Sequence, residues 1–228
     1  MKRQSVFFTE LAYVFGILAL ALGTALMERA DFGVSMVVAP AYLLFRRLSQ
    51  LFPVFTFGMA EYTLQACLLV VLCLVLRRFR VSFLFSFVTA VVYGLTLDGC
   101  IALIALLPGG GMAARLAWYL VGMLVCAVGV SLLFHTYLAP EVYELFVKEL
   151  SAKTGADIHR VKTVYDCCSC AVAVALSFAF FGLWHFEGVK LGTVLCALVN
   201  GSLIGVCTHL LEARFVFRDA LPLRRWFA

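Results

Sequence analysis

Six stretches of this chain, at about 7 to 28, 57 to 76, 81 to 107, 116 to 138, 164 to 184 and 190 to 211, approach the apolar run that a helix needs to cross a bilayer. The hydrocarbon layer is about 30 Å thick and an α-helix rises about 1.5 Å per residue, so roughly 20 residues suffice. Composition agrees, since 64% apolar residues and a mean hydropathy of +1.03 exceed what a soluble core requires. The expected fold class is an all-α polytopic membrane protein with six transmembrane helices.

The chain also repeats itself. Laid 106 positions apart, Tyr13, Gly16, Leu18, Ala21, Gly23 and Leu26 coincide with Tyr119, Gly122, Leu124, Ala127, Gly129 and Leu132. Leu and Ala matches arise by chance in so apolar a sequence, but a Tyr and two Gly in register are harder to dismiss. Each copy is followed by Ala-Pro and a similar tail: Ala39-Pro40, Tyr42, Leu44-Phe45 and Leu48-Ser49, then Ala139-Pro140, Tyr143, Leu145-Phe146 and Leu150-Ser151. With three spans per copy, the second must enter the membrane from the opposite side. The expectation is one integral membrane domain of two inverted three-helix repeats, residues 1–112 and 113–228, joined by an outer loop at Pro108-Gly109-Gly110-Gly111. Secondary transporters recurrently use this plan, with the site between the repeats near the midplane.

Basic residues set the orientation. With both termini cytoplasmic, the inner segments hold 13 of the 18 Lys and Arg, among them Lys2, Arg3, the Arg77 to Arg80 turn, Lys148, Lys153, Arg160 and Lys162. Arg29, Arg46, Arg47, Arg115 and Lys190 are left outside. The net charge of +5 thus reads as topology, and no nucleic-acid partner is expected. Nine cysteines, mostly within apolar runs, imply no disulfide framework. Lys2 and Arg3 precede an apolar run with no cleavage site, which reads as an uncleaved first span.

Two shorter elements complete the plan. The connection from Arg29 to Thr56 is too apolar to float in water, so a re-entrant or interfacial helix is expected from Pro40, a residue suited to a first helical turn. Its counterpart after Pro140 reads as amphipathic, with Val142, Leu145, Phe146 and Leu150 on one face and Glu141, Glu144 and Lys148 on the other. It should lie at the cytoplasmic interface or dock on the bundle.

Ionisable groups inside spans are costly and mark candidate sites. Glu61 and Asp166 occupy matching places in the two halves and could bind a cation or couple to protons; the plainer reading places both near helix N-termini, favoured by the dipole. Asp98 lies deep in the third span after Tyr93 and Gly94, and the matching segment of the sixth holds Asn200 and Gly201, with Gly201 aligned to Gly94. The two glycines serve close packing, or local unwinding that would free carbonyls. The candidate substrate or ion site is therefore Asp98, Asn200, Glu61, Asp166, Asp31, Tyr93, Gly94 and Gly201, with Asp31 to Ser35 folding inward. His135, His209, His185 and Glu187 read as interfacial. Cys167-Cys168-x-Cys170 lacks the second cluster that a zinc site wants. No catalytic motif, metal site or cofactor is expected, and nothing requires an enzyme.

The chain resembles the YczE/YyaS/YitT-type bacterial integral membrane proteins. The likeness rests on Phe83 to Leu95, Ala30 to Ser35, Pro140 to Leu145, Tyr165 to Cys170 and Phe181 to Lys190, and spans nearly the whole chain. It implies a membrane protein without a settled activity and carries over no catalytic residues. The functional expectation is a small-solute permease of the bacterial cytoplasmic membrane, whose partners are the lipid bilayer and an unidentified small solute or ion; a homo-oligomer stays open. One alternative is the substrate-binding membrane subunit of a multi-component vitamin transporter, docking a partner helix at Ala21-x-x-x-Ala25. Another is a non-transporting scaffold that binds a cytoplasmic enzyme through Glu141 to Leu150, which requires a dry bundle centre with its carboxylates facing solvent or loops.

Overall fold

Two parallel strands, β1 (Ser5–Phe8) and β2 (Phe215–Arg218), tie together the ends of a helical bundle in the computed structural model, which describes residues 5–107, 110–183 and 188–222. Between them run α1 (Thr9–Ala30), α2 (Ala39–Leu48), α3 (Phe57–Leu76), α4 (Val81–Ala105), α5 (Met112–Phe134), α6 (Val142–Thr154), α7 (Ile158–Phe181) and α8 (Leu191–Arg214). Six of these, α1, α3, α4, α5, α7 and α8, are long and apolar enough to cross a membrane. The all-α polytopic reading therefore holds, with the small sheet an addition that the sequence pattern did not announce. Pro108 and Gly109 of the expected joint, His185 and Glu187, and the basic residues Lys2, Arg3, Arg224 and Arg225 lie outside the described residues.

Helix limits follow local chemistry. The seventh helix starts at Ile158 rather than at 164, because the Asp157 carboxylate accepts the N–H groups of His159 and Arg160, each at 3.1 Å. This moves Lys162 from the inner loop to the bundle interior, where it is 1% exposed. The expected count of basic residues on the side of the termini falls from 13 to 12 of the 18. Thr56 caps α3 by accepting the Met59 N–H at 3.1 Å.

At the centre, α1 and α5 cross antiparallel with their backbones in contact. A Cβ added to Gly23 would lie 2.6 Å from the Gly122 carbonyl oxygen, and one on Gly122 would lie 2.7 Å from that of Gly23. Gly16 and Gly129 repeat the arrangement at 3.2 and 2.9 Å. Midway between, the Cys126 thiol reaches the Leu20 carbonyl at 3.7 Å. No side chain larger than hydrogen fits these positions, which explains the two glycines of each copy. The contact is also self-complementary: Gly16 corresponds to Gly122 and Gly23 to Gly129 in the sequence repeat, yet each glycine meets the other member of the opposite copy.

Around this pair the packing is matched. Helix α4 lies against α1 and α8 against α5, while α3 packs on α4 and α7 on α8. Tyr13 hydroxyl and Thr89 hydroxyl bond at 2.6 Å between α1 and α4; the corresponding Tyr119 donates to the Gly192 carbonyl at 2.6 Å between α5 and α8. Both short helices are wedged between α3 and α7. The first does not lie on the surface: Val34, Met36, Val37, Val38, Ala39, Ala41 and Leu43 are all buried. Its approach is stitched to the start of α8, with Gly192 N–H on the Phe32 carbonyl at 3.1 Å and Thr193 hydroxyl on the Val34 carbonyl at 2.9 Å. Gly33 has φ +105°, and a Cβ there would strike the Thr193 hydroxyl at 2.3 Å. On the other side, Thr89 donates to the Ala139 carbonyl at 2.9 Å.

Candidate functional site

The structure gathers the costliest side chains of the chain in one enclosed place. Glu61 and Gln65 come from α3, Glu141 from the N-cap of α6, Tyr143 and Glu144 from its first turn, Lys162 and Asp166 from α7, and Asn200 from α8, none more than 5% exposed. Tyr143 donates to Glu61 Oε2 at 3.0 Å, and Gln65 bridges by donating to Glu141 Oε2 at 3.0 Å while accepting the Val142 N–H at 3.0 Å. Lys162 Nζ sits 3.3 Å from Glu144 Oε1 and 3.2 Å from Asp166 Oδ1, and Asn200 Nδ2 donates to Asp166 Oδ2 at 3.4 Å. Beside them lies a cavity of about 20 Å³, lined by Thr24, Ser35, Tyr93, Glu141, Glu144, Lys162 and Asn200 over an apolar floor of Leu20, Val37 and Val38. That is room for one water-sized occupant.

The cluster thus holds four carboxyl groups and one ammonium group, which pairs with two of them. Uncompensated buried charge costs several kcal/mol per ion, so such a cluster is driven to take up protons or cations. Burial, then the neighbouring Glu144 and Glu61, hold the Glu141 carboxyl well above the usual carboxylate range. Three carboxylate oxygens, Glu61 Oε1, Glu141 Oε1 and Glu144 Oε2, are buried without a hydrogen-bond donor among the described residues.

Of the residues singled out in the sequence, Glu61, Asp166 and Asn200 come together here, and Tyr93 lines the cavity while donating to Thr24 at 3.1 Å. The helix-dipole explanation does not account for the two acids: Glu61 lies a turn inside α3 and Asp166 two turns inside α7, whose N-termini are capped by Thr56 and Asp157. Asp98 is elsewhere. It is half-buried at the start of α3, accepting the Thr56 hydroxyl at 2.8 Å and the Gly58 N–H at 2.9 Å, and is not among the cavity-lining residues. Gly94 and Gly201 serve close approach, since a Cβ on Gly58 would lie 2.3 Å from the Gly94 carbonyl and one on Gly201 would lie 2.1 Å from the Thr163 hydroxyl. Both α4 and α8 run unbroken through these positions, so no unwound backbone frees carbonyls. Asp31 stays on the outer surface, paired with Arg115 at 3.0 Å and with Lys190, whereas Ser35 of the same turn does reach the cavity.

Glu141 and Glu144 correct the amphipathic reading of α6. Both were expected on its polar outer face, yet they are 1% and 2% exposed, because α3, α4 and α7 enclose the start of the helix. Gln65, Tyr143 and Lys162 also belong to the cluster without standing among the sequence candidates; Lys162 and Asp166 are four apart, as are Glu61 and Gln65, each pair on one face of an apolar helix. His135 donates its Nδ1–H to the Ser131 carbonyl at 2.7 Å near the end of α5, and His209 is exposed. Cys168 is exposed and Cys170 buried; among the described residues no three His, Cys, Asp or Glu converge as a metal site.

Fold and site together define a polytopic helical membrane protein with an enclosed, charged centre. The chain belongs to the family of unknown function DUF6198, whose sequence profile covers residues 7–209. That match does not connect it to the YczE/YyaS/YitT-type proteins. No curated protein and no solved structure matches the chain.

Proposed function

We propose that this protein is a small-solute permease of the bacterial cytoplasmic membrane, in which two inverted three-helix halves enclose a shared site and both termini face the cytoplasm. One observation carries the reading: a cavity lined by Glu141, Glu144 and Lys162 lies at the α1–α5 crossing, inside the bundle. Ionisable groups at such depth are costly and typically face a solute or ion path. The self-complementary glycine contacts support a pseudo-two-fold axis through Leu20 and Cys126, the arrangement expected of inverted repeats. The inner excess of basic residues supports the orientation. A scaffold would need its carboxylates at the surface, and burial of Glu61 and Asp166 speaks for transport instead.

The test is uptake of labelled amino acids, small amines, vitamins and nucleobases into liposomes containing the protein, under an imposed proton gradient. At least one solute should accumulate above protein-free liposomes, and Glu144→Gln should remove that accumulation. Failure of every class in the panel would overturn the proposal. A reporter fused at the C-terminus checks orientation: activity confined to the cytoplasm is expected.

A further inference from the structure

We infer that the central cavity binds a small monovalent cation that donates hydrogen bonds, ammonium or the head of a primary amine, in exchange for a proton held on Glu141. This deepens the permease reading by naming the chemical class of its occupant, although the binding itself would stand without transport.

Hydrogen bonding in the cluster is one-sided. Tyr143 reaches Glu61, Gln65 reaches Glu141, Asn200 reaches Asp166 and Lys162 reaches both Glu144 and Asp166, yet none of these donors bonds the second oxygen of Glu61, Glu141 or Glu144. The remaining oxygens of Glu61, Glu141 and Glu144 are buried without a donor among the described residues, and Glu141 and Glu144 belong to the cavity wall. A buried acceptor left unmade costs about 1–3 kcal/mol, more for a charged group. The site therefore lacks donors and positive charge. An anion would find only Lys162, which Glu144 and Asp166 already hold.

Size and geometry narrow the choice. About 20 Å³ accommodates one water-sized body, which ammonium matches. Bare metal ions pull several oxygens to within about 2.0–2.6 Å of one point, and no such convergence of acids occurs among the described residues. N–H donors instead reach acceptors spread around them at about 2.7–2.9 Å. Thr24, Ser35 and Asn200 add oxygens to the wall for this purpose.

Exchange follows from competition for the same oxygens: one cation enters as one proton leaves, so the charge inside is unchanged. The acids facing Glu141 and Glu144 are Glu61 of α3 and Asp166 of α7, and the base is Lys162. Tyr13 of α1, Tyr93 of α4, Cys126 of α5 and Tyr165 of α7 also face them, but phenols and thiols ordinarily titrate above neutral pH. Cation binding should thus tighten as pH rises, by up to about tenfold per pH unit.

The experiment is thermal unfolding of the purified full chain in detergent with ammonium, methylammonium, potassium or sodium chloride, at pH 6 and pH 8, with ionic strength held by a bulky organic cation. Ammonium should raise the midpoint saturably and at lower concentration at pH 8. Potassium, which has nearly the same radius but no N–H groups, should not. Methylammonium acting as well as ammonium identifies the head of a primary amine; ammonium acting alone identifies the free ion. Glu141→Gln and Glu144→Gln should each weaken the response at least about tenfold. Equal effects of potassium and ammonium, no saturable response, or an unchanged response in both variants would overturn the inference. Should a variant fail to fold, the ammonium and potassium comparison on the unaltered protein decides. Ammonium binding without uptake of any solute by liposomes would sink the permease and spare this inference; uptake of another solute without ammonium binding would do the reverse.

Discussion

The two short helices begin alike and end in different chemistry. Helix α2 opens with Ala39-Pro40-Ala41 and α6 is preceded by Ala139-Pro140-Glu141, and both wedge between α3 and α7. In α2 the buried positions are Ala39, Pro40, Ala41 and Leu43, joined by ring contacts of Tyr42 and Phe45 with Phe57 at 5.4 and 5.9 Å. In α6 the corresponding start buries Glu141, Tyr143 and Glu144 against Glu61, Gln65 and Lys162. The start of α2 is held by apolar packing, whereas the start of α6 adds a charge network to the packing of Val142 and Leu145 on Leu69, Leu72 and Phe83. The two short helices thus share their placement, while the costly groups collect around the start of α6 alone.

Removing the single base should break the comparison most sharply. Lys162→Met leaves Glu144 and Asp166 buried without their cation and should cost about 3–5 kcal/mol, read as a drop in the unfolding midpoint at neutral pH. A loss under about 1 kcal/mol would mean that the network does not hold α6. Next, Ala41→Glu copies the α6 residue into α2, where Ala41 is fully buried beside buried Ala39, Pro40 and Leu43. The expected loss is about 1–3 kcal/mol, with the new carboxyl kept neutral. Tyr143→Phe takes only the hydroxyl from Glu61 and should cost about 1–2 kcal/mol in the same assay.

A pH series sharpens the contrast further. Because Glu141 has its folded-state pKa raised, the folded protein holds a proton there that the unfolded chain has released above about pH 4.3. Its contribution to stability is present below the unfolded value and is lost as pH rises through the folded one, with a slope of at most about 1.4 kcal/mol per pH unit. Glu141→Gln should flatten that slope in chemical unfolding measured across pH 5 to 8. The smallest effect belongs to the outer surface: Asp31→Asn removes exposed ion pairs to Arg115 and Lys190 and should change stability by about 1 kcal/mol or less.

Much of the plan was legible because membrane crossing leaves a strong linear signal. The six spans and the paired Ala-Pro helix starts follow from apolar run length and residue type, while Gly16, Gly23, Gly122 and Gly129 stand out in the sequence as a repeat and only the fold shows them as a seam. The site was legible in part. Glu61, Asp166 and Asn200 stand out as polar groups in apolar helices, but α6 misled, since a helical wheel shows two faces without saying that protein covers both. Lys162 was hidden by the polar first turn of α7, which resembles a loop until Asp157 is recognised as its cap. Asp98 illustrates the converse: a carboxylate deep in a span can be spoken for by the N-terminus of the neighbouring helix.

The strand pair at the chain ends has a mechanical corollary. Ser5 to Phe8 pairs residue by residue with Phe215 to Arg218, and Glu10 accepts the Leu221 N–H at 2.9 Å and the Tyr137 hydroxyl at 2.8 Å. The start of α1, the end of α8 and the lead into α6 are thus riveted into one unit at a single face of the bundle. Should the two halves rock to pass a solute, that face cannot part between α1 and α8. Any parting of the halves on that side would fall at the far end of α6, where Glu149 meets Arg78 and Lys153 meets the Val75 carbonyl, with the rivet as its hinge post.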